Sequence, residues 1–117
     1  MYCEFIKNSS GNVVKNQVVI FDGDCNQFVV FQSYDNIICE YDKDMKILTL
    51  DNNAFGYSKT TSKNLNLFLQ DYVRLNVDQI KKIKKGESIK LSNGFILQTK
   101  FDQLNKKRGN PLFIFTI

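Results

Sequence analysis

The spacing of apolar and polar residues divides this chain into a strand-rich first half, a helical middle and a return to strands. Up to residue 50, β-branched and aromatic runs are broken by clusters of Asn, Asp, Gly and Ser, and no helical period appears. The runs predict strands over 2–7, 13–21, 27–32, 37–42 and 46–50, with turns at NSSGN, DGDCN, SYDN and DKDM. Within 37–42 the sequence IICEYD alternates, placing Ile37, Cys39 and Tyr41 on one face and Ile38, Glu40 and Asp42 on the other. Such alternation suits a sheet packed on one side and wet on the other.

The period changes near Thr60. Leu65, Phe68, Leu69, Tyr72 and Val73 recur at helical spacing, and the hydroxyls of Thr60, Thr61 and Ser62 can cap the first free N–H groups, which predicts a helix over 62–73. A second helix is predicted over 77–85, opened by a capping box of Asn76 and Gln79 and stopped by Gly86. On its wheel Val77, Ile80 and Ile83 form an inward stripe, Lys81, Lys82 and Lys85 point outward, and Lys84 lies at the stripe's edge. Strands over 87–91 and 95–100 flank Ser92-Asn93-Gly94, a hairpin signal. Beyond the basic loop DQLNKKRGNP, the run LFIFTI (112–117) is apolar on both faces and predicts a buried strand. The expected architecture is one α+β domain, an antiparallel sheet of about six or seven strands packed on two sequential helices.

Composition supports a single folded unit. The 117 residues contain no linker-like stretch, repeat or low-complexity segment, so one domain spans 1–117. With 43% hydrophobic residues, ten Phe and five Tyr, there is enough apolar surface to offset the entropy of ordering. No apolar run is long enough to span a bilayer and MYCEFIK lacks the regions of a signal peptide, so the expectation is a cytoplasmic protein. Cys3, Cys25 and Cys39 are odd in number and widely spaced, which suggests reduced thiols without a disulfide framework or a zinc site. Histidine is absent, which removes the commonest general base and the commonest transition-metal ligand.

The stretch VVIFDGDCNQF is compatible on its face with three kinds of chemistry. A calcium loop opening at Asp22 needs Gly at its sixth position and Glu at its twelfth, but Gln27 and Ser33 stand there. A thiol-disulfide site needs a second cysteine three residues after Cys25, where Phe28 stands. A phosphatase with an aspartate nucleophile needs βαβ units, and no crossover helix is present in 1–50. The remaining reading is a hairpin turn, with Gly23 at positive φ, Asp22 and Asp24 solvated, and Cys25 entering the next strand.

Charge is divided unequally. Residues 1–58 carry four Lys against eight carboxylates, a balance of −4, and residues 59–117 carry twelve Lys or Arg against four carboxylates, a balance of +8. Nine of these twelve later cations are candidates for one patch: Arg74, the helix lysines 81, 82, 84 and 85 with Lys90, and the KKRGN loop with Lys106, Lys107 and Arg108. If folding gathers them, they form a surface suited to phosphates or to an acidic protein; the plain alternative is solvated helix and loop surface. Tyr34, Phe55 and Tyr57 lie in polar loops, where aromatic rings either anchor an interface, stack on bases or fold back over a sheet edge.

Ser33, Tyr34 and Ile37, followed by Tyr57, Ser58, Thr60, Thr61, Leu65, Phe68 and Leu69, match a Ser-Tyr-x-x-Ile strand and a Tyr-Ser-x-Thr-Thr-x-x-His-Leu helix opening that ends in Phe-Leu. In this pattern the chain resembles a group of small phage-encoded accessory proteins of mostly unassigned function. Asn64 stands where the histidine often occurs, so the resemblance implies a binding or packing role for the motif and no catalytic one.

The leading expectation is a non-enzymatic protein without cofactor that blocks a host macromolecule, such as a nuclease of CRISPR defence, in the host cytoplasm. Its partner-binding residues are Arg74, Lys81, Lys82, Lys85, Lys106, Lys107 and Arg108, with Tyr34 and Tyr57 as anchors. The alternative is a small basic nucleic-acid-binding protein using the same cations. An enzyme is the third reading and would need carboxylates alone, such as Asp22, Asp24 and Asp35, around a divalent ion.

Overall fold

Seven strands and two packed helices account for the predicted periods. The computed structural model describes residues 1–107, except the side chains of Lys106 and Lys107. The expected strand over 112–117 and the loop residues from Arg108 onward lie outside the described residues. The strands are β1 (Tyr2–Lys7), β2 (Val13–Asp22), β3 (Phe28–Ser33), β4 (Asn36–Asp42), β5 (Ile47–Asp51), β6 (Ile89–Lys90) and β7 (Ile96–Asp102). The helices are α1 (Lys59–Asp71), α2 (Val77–Lys84) and a short α3 (Leu104–Lys107). No helix among the described residues is long and apolar enough to cross a membrane.

The sheet order is β1-β2-β3-β4-β5-β7-β6, antiparallel throughout except for β5 beside β7. Four hairpins build β1 to β5 in sequence. The chain then crosses the sheet through α1 and α2 and returns as the β6–β7 hairpin, whose second strand docks on β5 and so runs parallel to it. The hairpin tip follows its Asn-Gly signal, with Gly94 at φ 90 and the Leu91 N–H donating to the Phe95 carbonyl at 2.8 Å.

Both helices pack on one face. Val19, Val29, Phe31, Leu48 and Leu50 from the strands meet Leu65, Phe68, Leu69, Ile80 and Ile83 in the main core. Rings stack outward from it: Phe31 on Phe68 at 5.6 Å, Phe68 on Tyr72 at 5.5 Å, Tyr72 against Phe21 at 5.9 Å, and Phe21 on Tyr2 at 5.0 Å. The opposite face holds a smaller cluster of Val18, Ile20, Val30, Ile37 and Leu104.

Several local expectations are corrected. The strict alternation of IICEYD fails because a bulge interrupts β3–β4 pairing after Phe31, so Ile38 and Cys39 both join the main core while Ile37 turns to the other face. α1 begins at Lys59 because Ser58 is its cap: the Thr61 N–H donates to Ser58 Oγ at 3.0 Å. The Thr61 hydroxyl is thereby left to meet Ser33 Oγ at 2.8 Å, tying the helix to β3. Cys25 does not enter β3 but sits in a 3₁₀ turn at φ 53, following Gly23 at φ 81 as the turn requires. Four residues of the expected basic loop form α3, whose first N–H, on Leu104, donates to Asp51 Oδ1 at 3.1 Å.

The α2 signals read as the sequence predicts. Its capping box is present, with the Gln79 N–H on Asn76 Oδ1 at 2.8 Å and the Asn76 N–H on Gln79 Oε1 at 2.9 Å. At its end Gly86, at φ 79, donates to the Ile83 carbonyl and Glu87 to the Lys82 carbonyl, a Schellman motif.

Candidate functional site

α2 is seated by two side chains. Ile80 and Ile83 are buried in the core, and the helix therefore turns Lys81, Lys82, Lys84 and Lys85 to solvent. Val77, expected inside the stripe, is the first helical residue and is 58% exposed. No ion pair joins any of these lysines to a carboxylate among the described residues. Asp78 in the first turn and lysines in the last suit the helix dipole. Lys84 is fixed in another way, its Nζ lying 5.3 Å from the centre of the Phe55 ring.

Beside the lysines runs a groove of about 180 Å³ between α1 and α2, lined by Asn66, Gln70, Val77, Ile80, Lys81 and Lys84. Val77 and Ile80 provide apolar surface, Asn66 and Gln70 amides, and the lysines charge. The sequence reading missed Asn66 and Gln70. Their signal was available, since they stand four apart on α1, away from Leu65, Phe68 and Leu69, and so share a helix face.

The other predicted partner residues are distributed around the fold. Arg74 is exposed in the turn between α1 and α2, at φ 68, where the Leu75 N–H returns to the Leu69 carbonyl at 3.0 Å. Tyr34 is 52% exposed at the β3–β4 turn, with φ 54, and its N–H donates to the Asn16 carbonyl at 2.8 Å. Lys106 and Lys107 belong to α3, which packs through Leu104 on the face opposite α2. The sheet therefore separates α3 from the α2 lysines, while Arg108 lies outside the described residues.

Tyr57 has a structural engagement. Its hydroxyl donates to Asp51 Oδ2 at 2.8 Å, and burial first, then Asp51, pushes that hydroxyl up to about 12. Asp51, buried at the end of β5, also accepts from the backbone N–H groups of Asn53 and Leu104. Asn105 completes the arrangement, its Oδ1 accepting from the Ile37 N–H at 2.7 Å and its Nδ2 donating to the Ile37 carbonyl at 3.1 Å. The amide thus takes the place of a strand neighbour where β5 leaves β4. Phe55, from the same loop, packs on the main core beneath Lys84.

The carboxylates considered for a metal do not converge. Asp22 and Asp24 lie before β3 and Asp35 after it, so the length of a six-residue strand divides them. No group of three or more Cys, Asp or Glu among the described residues is arranged to hold a metal ion. Cys39 is buried, and burial pushes its thiol well above the ordinary range.

A model of a family of unknown function, DUF8033, matches residues 1–87, which run from β1 through α2 and its Schellman turn. No curated protein and no solved structure matches the chain. The matched span includes both the acidic strand half and the lysine helix, and the chain belongs to the DUF8033 family.

Proposed function

We propose that this chain is a non-catalytic binding protein that covers an acidic surface of a host protein with the lysine face of α2 and the adjoining α1–α2 groove. The single observation that carries this is the state of Lys81, Lys82, Lys84 and Lys85, which stand together on one short helix without a carboxylate partner among the described residues. Like charges three and four residues apart, as in Lys81 with Lys84 and Lys85, oppose the helix by about 0.2–0.5 kcal/mol per pair. An acidic partner surface removes that opposition and gains charge complementarity. The apolar floor of Val77 and Ile80 supplies the contact that a protein side chain needs.

The biological setting is inferred from the resemblance to small phage-encoded proteins: a counter-defence inhibitor of the anti-CRISPR type, acting in the host cytoplasm on a nuclease that handles nucleic acid. Inhibition is steric and electrostatic, with no chemistry by the inhibitor itself. Arg74 stands in the turn that leads into α2, while Tyr34 at the β3–β4 turn and Lys106 and Lys107 of α3 take part only for a partner that reaches around the sheet. Direct nucleic-acid binding is the competing reading; among the described residues none that line the groove carries an aromatic ring for stacking unpaired bases, which favours a protein partner over a single strand.

The test is a tagged capture from host lysate, with and without nuclease treatment, beside a gel shift with single-stranded and duplex oligonucleotides. The proposal expects a protein partner retained after nuclease and no oligonucleotide shift. A partner lost on nuclease treatment, or an oligonucleotide shift with a steep salt slope, overturns it.

A further inference from the structure

The strand edge at β1 carries a second surface, of opposite charge. Among the described residues β1 pairs only with β2, so within residues 1–107 the outward-pointing backbone N–H and C=O groups of its alternate residues form one unpaired row. A groove of about 320 Å³ runs beside it. Four successive residues, Glu4 to Lys7, line this groove, joined at the Lys7 end by Val13, the β2 partner of Lys7. Because successive side chains point to opposite faces of a sheet, a groove lined by such a series follows the strand's edge. Its far wall is the end of α1, with Asp71 and Tyr72.

Glu4 is held firmly in this wall. The Tyr72 hydroxyl donates to its Oε1 at 2.5 Å and the Tyr2 hydroxyl to its Oε2 at 2.8 Å. Each carboxylate oxygen still has a lone pair for another donor. Tyr72 is itself placed by the ring stack that reaches back to Phe31, so the core positions this carboxylate. Asp71 adds a second negative charge, and Lys7 makes the other end of the strand positive.

We propose that this edge binds an extended peptide segment of a partner protein, adding it as a further strand, with a lysine or arginine of that segment between Glu4 and Asp71. Backbone pairing supplies affinity without regard to sequence, and the two carboxylates select a cation at one position. Lys7 sets the direction of the added strand by repelling a cation at the opposite end. The surface is independent of the α2 lysines, which select an acidic partner.

The experiment uses the full chain, isotopically labelled, titrated with an end-capped peptide of alternating lysine and valine of roughly eight residues, an ordinary strand length. Controls are the glutamate–valine counterpart and a lysine–valine peptide N-methylated at every residue, so that neither of its edges can donate. The proposal expects slowed amide exchange and shifted resonances along Tyr2–Lys7 with the lysine peptide alone. Glu4→Gln together with Asp71→Asn weakens that binding by at least about tenfold, while Lys81→Glu with Lys85→Glu leaves it unchanged. Asp71→Asn alone, at an exposed position, repeats the effect in part if the double variant folds poorly. Equal binding of the glutamate or N-methylated peptide, perturbation elsewhere, or none on β1 at millimolar peptide overturns the proposal.

Discussion

The Tyr57 hydroxyl donates to Asp51 Oδ2 at 2.8 Å, joining the loop that precedes α1 to the end of β5. Asp51 also receives the backbone N–H groups of Asn53 and of Leu104 at the start of α3. One carboxylate thus holds three segments, and its replacement tests that role. Asp51→Asn substitutes an N–H₂ for one acceptor oxygen against surrounding donors. The expected loss is about 2–3 kcal/mol, read by urea denaturation. A loss below about 0.5 kcal/mol contradicts the role.

Gln17 lies fully buried opposite Ser33, and neither amide atom has a hydrogen-bond partner among the described residues. Among the described residues nothing compensates the desolvation of its amide. Gln17→Met keeps the length of the side chain and removes the polar group, and it should raise stability by about 1–2 kcal/mol in the same denaturation experiment. Destabilisation would show that the amide is satisfied in solution.

Stability should fall at both ends of the pH scale for identifiable reasons. Tyr57 keeps its proton in the folded state up to about 12, so its contribution is complete below the ordinary tyrosine range near 10.0 and is lost as pH rises through 12. Tyr72, raised by burial and then by Glu4, acts in the same direction. At the acid end the Tyr72 hydroxyl, then that of Tyr2, holds the Glu4 carboxyl below its usual range. Its contribution is present above that range and fades as pH falls through the lowered value. Tyr57→Phe should flatten part of the alkaline limb and Glu4→Gln part of the acid limb, followed by thermal unfolding across pH. Unchanged limbs would contradict these assignments.

Tyr34 occupies a left-handed backbone conformation at φ 54, which costs a residue with a Cβ about 1–2 kcal/mol relative to glycine. Half its side chain faces solvent, so packing does not explain its presence. Tyr34→Gly relieves the backbone but gives the unfolded chain more freedom, an offset of about 0.4–1 kcal/mol. The expected outcome is stability equal to the parent or up to about 1 kcal/mol higher, with weaker partner binding. A marked loss of stability would make Tyr34 a packing residue.

How much of this was legible in the sequence depended on whether the cause was local. The capping box of Asn76 and Gln79 and the stop at Gly86 are interactions within one turn, and both were readable. The extra residue at Ile38 was not, because a bulge is defined against a partner strand. Nor was α3, which is too short to show a period and whose first N–H is accepted by Asp51, 53 positions earlier. The parallel docking of β7 on β5 is likewise a tertiary choice. At the candidate site the α2 lysines were evident as a charge row, and their exposure followed from Ile80 and Ile83. The separation of α3 from that row followed from Leu104 choosing the opposite face, which no spacing within 102–107 encodes.

The central claim is that the α2 lysines are the partner-facing surface. The most direct measurement is the affinity of the captured host protein, by isothermal titration, for the parent chain and for Lys81→Glu, Lys82→Glu and Lys85→Glu combined. These side chains are exposed and unpaired with carboxylates among the described residues, so folding should be preserved to within about 0.5 kcal/mol. The account predicts that binding weakens by about a hundredfold or more, and that the parent's affinity falls as salt rises. Undiminished affinity in a folded triple variant would contradict it.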